Sequence, residues 1–179
     1  MKSLLISLFI ASSSLQCIAQ KIVEKKVDEF TGSTIITTSN HSLFVKGLGT
    51  EGASYRLQKI DGITILRMRY GRSKVFSVPE GGSIIFLLEN GETFTMRSTD
   101  YRISEPNSTS DALVPNWSAS ISYVSEDDPT LETLEANRVS KIRIYLSDEY
   151  EDYEIKPKIA AILQRAVKLV NETSVRGSR

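Results

Sequence analysis

From residue 20 onwards, apolar and polar positions alternate at period two between short clusters of Gly, Asn, Asp, Ser and Pro. This pattern predicts β-structure over the first two thirds of the chain. Residues 55–60 and 63–68 flank Asp61-Gly62, a dipeptide suited to the positive φ angles of a two-residue type I′ turn. In that register Tyr55 faces Met68 and Leu57 faces Leu66 on one side, while Arg56 faces Arg67 and Gln58 faces Ile65 on the other. A second hairpin is expected to join residues 83–89 to 92–97 through Asn90-Gly91, pairing Leu87 with Phe94 and Ile85 with Met96. Ile84, Phe86 and Leu88 are apolar as well, so this strand belongs inside a sheet covered on both sides. A third hairpin follows from Ile142, Ile144 and Leu146 alternating with Lys141, Arg143 and Tyr145, then a turn over 148–152 into Tyr153, Glu154 and Ile155.

The period changes twice. Asp128-Pro129 supplies a helix N-cap and a proline at the first helical position, predicting a short helix with Leu131 and Leu134 inward that ends near Asn137. Pro157 opens a longer helix in which Ile159, Ile162, Leu163, Ala166, Val167 and Val170 form one stripe opposite Lys158, Gln164, Arg165, Lys168 and Glu172. Residues 98–117 are rich in Ser, Asn, Asp and Pro and show no period, which predicts a long mobile surface loop. The expected fold class is α+β: a predominantly antiparallel sheet built from hairpins, with a short helix and a C-terminal amphipathic helix packed on the sheet. No internal repeat or linker divides it, so residues 20–175 are expected to form one domain, with a disordered tail over 176–179.

The first residues read differently. Lys2 precedes an apolar run over 4–11 that is ended by Ser12, Ser13 and Ser14, and Cys17-Ile18-Ala19 is a small-x-small cleavage signal. Residues 1–19 are therefore expected to be a signal peptide, with the mature chain starting at Gln20. Cys17 is alternatively a lipoprotein acceptor, although Gln16 before it is bulky. The run is far shorter than the roughly 20 residues of a spanning helix, so no transmembrane helix is expected there. Cys17 is the chain's sole cysteine, so a chain cut after Ala19 has no disulfide and no thiolate nucleophile or metal ligand.

Across the 179 residues, 22 Lys and Arg balance 22 Asp and Glu. That balance gives no general attraction to nucleic acid or to an anionic membrane, and nucleic acid is not expected as a partner.

Residues 27–32 (Val-Asp-Glu-Phe-Thr-Gly), the run 81–96 with Leu-Glu-Asn-Gly-Glu-Thr at 88–93, and Val-Ser-Lys-Ile-Arg-Ile at 139–144 resemble a group of small exported Bacteroidetes proteins. A Gln directly after the cut is similar to what such proteins often show. The resemblance implies a bacterial envelope location (periplasmic, outer-membrane-associated or extracellular) and no activity.

Several strings invite chemistry. Gly47-Leu48-Gly49-Thr50-Glu51-Gly52 matches the dinucleotide pattern G-x-G-x-x-G, but the expected strand after it stands where that site needs a helix N-terminus. His41, the only histidine, is a candidate general base; no G-x-S-x-G elbow accompanies it, and an exposed loop position is the expectation. Residues 148–154 hold five acids without the spacing or glycine of an EF-hand and read as a solvated hairpin tip. Asn40, Asn107, Asn116 and Asn171 stand in N-x-[ST] triplets and are read as polar loop and terminus residues. No metal or cofactor is expected.

The strongest remaining feature is basic. Arg56, Arg67 and Arg69 share one parity of the first hairpin, with Arg72 and Lys74 just beyond. Such a cluster reads as a solvated face relieved by acids such as Glu51 or Glu80, or as an anion site in which guanidinium forks bind carboxylate or phosphate. The expected function is an exported non-catalytic protein binding an envelope partner protein or an acidic glycan through Arg56, Arg67, Arg69, Arg72 and Lys74. The alternative is an exported hydrolase using carboxylates or His41.

Overall fold

A computed structural model describes residues 20–47, 51–106 and 117–173. The expected signal segment and C-terminal tail lie outside the described residues, as do Asn107 and Asn116. The described chain is mostly antiparallel β-sheet with two helices, one of them near the C-terminus.

The Asp61-Gly62 hairpin forms as its sequence requires. β4 (Glu51–Ile60) and β5 (Ile63–Arg72) pair with Tyr55 opposite Met68, Arg56 opposite Arg67 and Leu57 opposite Leu66. Asp61 and Gly62 take φ of 48° and 93°, the left-handed geometry of the two-residue turn. Both strands run past the expected limits of Tyr55 and Met68, because further pairs down to Gly52 with Gly71 continue the ladder.

The second hairpin corrects the expected register. β7 (Ser83–Leu88) and β8 (Thr93–Ser98) pair Phe86 with Phe94 and Ile84 with Met96, one residue away from the expected alignment. The loop has three residues rather than two. Gly91 N–H donates to Leu88 O at 3.0 Å and Leu88 N–H to Glu92 O at 2.9 Å, with Gly91 at φ 87°, as in a type I turn closed by a glycine bulge. A one-residue slip moves a strand's whole apolar set to the other face. This register buries Ile84, Phe86 and Leu88 with Phe94 and Met96, and leaves Thr93, Thr95 and Arg97 outside. Ile85 and Leu87 stay half-buried on the outer face, in a hollow they share with Lys141 and Arg143.

β12 (Val139–Tyr145) and β13 (Tyr150–Glu154) form the third hairpin. Its turn is tighter and earlier than expected, because Leu146 N–H already bonds Glu149 O at 2.8 Å. The segment expected as one long loop over 98–117 also holds structure. β9 (Arg102–Ile103) pairs with β6 (Ser77–Val78), and β10 (Glu105–Pro106) pairs with the start of β11 (Trp117–Val124). Strands of two residues have no periodicity by which a sequence could reveal them.

With β1 (Ile22–Val27), β2 (Thr34–Thr38) and β3 (His41–Lys46), the large sheet runs β1-β2-β4-β5-β11-β8-β7-β12-β13, and β3 also pairs with β4. β11 meets β8 through only Tyr123 with Ser98 and Val124 with Arg97. Beyond that joint the sheet turns back on itself. Phe44 of β3 stacks on Tyr153 of β13 with ring centroids 3.8 Å apart, although β4, the strand β3 pairs with, lies six strands from β13 in the sheet order.

α1 (Glu132–Ala136) starts later than expected. Leu131, at φ 60°, occupies its N-cap position, and the Asp128 carboxylate instead reaches forward to accept from Glu132 and Thr133 N–H at 2.9 and 2.8 Å. Leu131 and Leu134 are buried as expected. α2 (Pro157–Glu172) buries Ala160, Ile162, Leu163, Ala166, Val167 and Val170 against β2, β3, β4, β12 and α1, closing the core between the two halves of the curled sheet. Asn171 belongs to this helix rather than to a free terminus, and its side-chain amide donates to Thr130 O at 3.1 Å and to Glu135 Oε2 at 2.8 Å.

Candidate functional site

Strand alternation decides which arginines meet. On β4, Tyr55 and Leu57 point inward, so Arg56 points out; on β5, Leu66, Met68 and Tyr70 point inward, so Arg67 and Arg69 point out. β11 lies on the far side of β5 with Ser122 opposite Arg67 and Ser120 opposite Arg69. These strands and the neighbouring loops enclose a groove of about 580 Å³ lined by Arg56, Arg67, Arg69 and Arg102 together with Asn40, Ser54, Gln58, Ser120 and Ser122. Four of the groove's described lining residues are arginines and none is a carboxylate.

The guanidiniums are held by their neighbours. Arg67 donates through Nε to Gln58 Oε1 at 3.1 Å and through Nη1 to Ser122 Oγ. Arg69 donates through Nη2 to Ser118 Oγ at 3.3 Å. Arg102 pairs with Asp100. Arg56 is exposed and lies within electrostatic reach of Glu24, whose carboxyl is held below its ordinary range chiefly by hydrogen bonds from Lys26 and Thr37. Glu51 turns toward Lys46 at 3.6 Å.

Arg72 and Lys74 do not join this cluster. Arg72 is still within β5 but has the opposite parity, so its side chain enters the interior, where it is 6% exposed and binds Glu149 Oε1 at 2.6 Å and Glu151 Oε1 at 3.3 Å. Burial works against its charge; the Glu149 hydrogen bond and the two carboxylates more than offset this and leave its pKa raised. Lys74 is exposed in the bend after β5 and does not line the groove. Arg102 is the member that sequence reasoning missed: it comes from a two-residue strand inside a segment without pattern.

The acids of residues 148–154 are also not a bare solvated tip. Besides the two that hold Arg72, Asp152 accepts a bidentate pair from Arg143, with both N–O distances at 2.7 Å, and this pair holds the Asp152 carboxyl below its usual range. Glu154 reaches Lys141 at 3.4 Å. Among the described residues no group of three or more His, Cys, Asp or Glu is placed to hold a metal ion. His41 is half-buried at the start of β3 rather than exposed in a loop, with its Nε2 3.2 Å from Ser39 Oγ. Its pKa is lowered by burial, opposite to the rise that a triad acid beside the ring would cause. Glu51 and Gly52, which end the G-x-G-x-x-G string, already lie in β4, so strand follows where a phosphate site needs a helix.

No helix among the described residues is long and apolar enough to cross a membrane. No family model, no curated protein and no solved structure matches this chain.

Proposed function

We propose that this chain is an exported, non-catalytic binding module of the bacterial envelope whose ligand is anionic and occupies the groove of Arg56, Arg67, Arg69 and Arg102. The observation that carries the reading is the convergence of four guanidiniums on one groove without a lining carboxylate. Like charges placed directly opposite across a strand pair oppose folding, and an anion bound between Arg56 and Arg67 removes that repulsion. Gln58 and Ser122 hold the Arg67 fork before any ligand arrives, which lowers the ordering cost of binding. α2 serves this module as an amphipathic support for the sheet rather than as part of its chemistry.

Export rests on the residue pattern of the first 19 positions and on the resemblance to exported Bacteroidetes proteins. N-terminal sequencing of protein recovered from the envelope is expected to read Gln20 first; an intact Met1 or an acylated Cys17 would refute this processing.

The anion site is tested by calorimetry with polygalacturonate, polyglutamate and polyphosphate. Wild-type protein is expected to bind at least one of them, and to release it between about 0.01 M and 1 M salt as the screening length falls from about 30 to 3 Å. Arg56→Gln with Arg67→Gln should weaken that binding by about tenfold or more, since a hydrogen bond to a charged group contributes about 1.5–3 kcal/mol. Unchanged affinity in a folded double variant would sink the proposal.

A further inference from the structure

We infer that the ligand of this groove is an extended acidic polysaccharide, a chain of uronate-type sugars, rather than a single small anion or an acidic protein segment; the inference rests on the anion-binding reading above.

The first reason is length. Arg67 and Arg69 stand two residues apart on β5, about 7 Å along a strand. Arg56 stands across from Arg67 at about 5 Å between Cβ atoms. Arg102 adds a fourth guanidinium from β9, which packs beside β11. The groove of about 580 Å³ shares Arg69, Arg102 and Ser120 with a second hollow of about 350 Å³ bounded by Glu105 and Pro106. A carboxylate accepts one guanidinium fork well. The second hollow adds the Glu105 carboxylate and no further guanidinium, so all four forks border the main groove. That is more than one carboxylate can occupy and suits a ligand that repeats its charge along its length.

The second reason is what stands between the charges. Ser54, Ser120, Ser122, Asn40 and Gln58 interleave with the arginines and present hydroxyls and amides that both donate and accept. A sugar offers several hydroxyls of the same dual character beside each carboxylate, so it satisfies these groups; ionised glutamate side chains bring acceptors only, and phosphate brings at most one or two hydroxyls on a single centre.

The third reason is what the floor lacks. The large apolar residues reaching the main groove are Met68 and Ile121, and both turn their side chains into the core, at 1% exposure each. Protein partners are anchored by aromatic and apolar side chains seated in desolvated pockets. Among its described lining residues this groove offers no such pocket.

The test is calorimetry on the full mature chain with galacturonate oligomers of increasing length, polygalacturonate, neutral dextran, polyglutamate and inorganic phosphate. Affinity for galacturonate should rise steeply over the first few units, because each added unit binds at the high effective concentration set by its neighbour, and then level off when the main groove is filled. Polygalacturonate should bind at least about tenfold more tightly than polyglutamate, a gap of about 1.4 kcal/mol, and dextran should not bind. Ser120→Ala, at an exposed position, should weaken galacturonate binding while leaving polyglutamate unaffected. Equal affinity for polyglutamate, or saturation by phosphate, overturns the polysaccharide assignment and leaves the anion site standing. Failure of every acidic ligand overturns both.

Discussion

The phenol oxygens of Tyr70 and Tyr153 lie 2.7 Å apart in the buried core, joining β5 to β13. These strands are five steps apart in the sheet, so in a flat sheet about 24 Å would separate them. The bond therefore marks where the curled sheet meets itself. Tyr70 also meets Phe76 edge-on, with centroids 5.0 Å apart, and two residues further along β5, Arg72 reaches Glu149 and Glu151. The inner face of β5 is thus tied to β13 and its turn by Tyr70 and Arg72. The alternating outer residues, Arg67 and Arg69, are presented from a strand that cannot easily shift.

Removing one hydroxyl of the tyrosine pair strands the other. Tyr153→Phe is expected to cost about 1–3 kcal/mol, the penalty for a buried polar group left without a partner. The double variant with Tyr70→Phe should cost less than the sum of the two single changes. Urea unfolding of the four proteins completes the cycle, and strict additivity would mean that the hydroxyls do not interact.

Burial pushes the Tyr70 phenol up to about 12, with the Tyr153 hydrogen bond acting in the opposite direction, and burial raises Tyr55, Tyr123 and Tyr153 as well. An unfolded chain releases these protons near the ordinary value of 10.0. Between that pH and about 12 the native state holds more protons than the unfolded state, so stability must fall as pH rises. The tyrosines add no pH dependence below about pH 9, and from there unfolding free energy should drop as pH passes about 10. A drop that persists undiminished in the Tyr70→Phe, Tyr153→Phe protein would assign it to other groups.

The Arg72 cluster predicts an asymmetry between its partners. Glu149→Gln with Glu151→Gln leaves an uncompensated guanidinium in the interior and should cost about 3–5 kcal/mol. Arg72→Met removes the buried charge and lets two partly exposed carboxylates return to water, so it should cost clearly less. Neither change touches the groove, and polyanion binding by the folded variants should stay at the wild-type level. A parallel loss of binding would place Arg72 in the site after all.

The facing arginines should differ in stability. Arg56 is exposed and opposes a like charge, so Arg56→Gln is expected to raise stability by about 0.2–1 kcal/mol. Arg67→Gln relieves the same repulsion but loses the bonds to Gln58 and Ser122, and should be neutral or destabilising by about 1 kcal/mol. Thermal unfolding at low salt separates the two, and identical shifts would show that the Gln58 and Ser122 contacts contribute nothing.

Part of the groove is legible in the chain itself. The Asp61-Gly62 turn sets the register of β4 and β5, and a period of two then places Arg56, Arg67 and Arg69 on one face, because both effects act within a few residues. The apolar stripe of α2 is equally local. The Asn90-Gly91 turn shows where local information ends. The same dipeptide fits a two-residue loop and a three-residue loop with a glycine bulge, and only the burial of Phe86 on Phe94 and Ile84 on Met96 selects between them.

By itself, then, the sequence determined the hairpins, the helices and the side of the sheet on which three arginines stand, since turn chemistry and side-chain period are properties of neighbouring residues. Tertiary structure decided that Arg72 is a buried tie and that Arg102 completes the groove. The carboxylates that hold Arg72 and the arginines that Arg102 joins come from segments tens of residues away, and nothing brings those together except the curling of the sheet around its core.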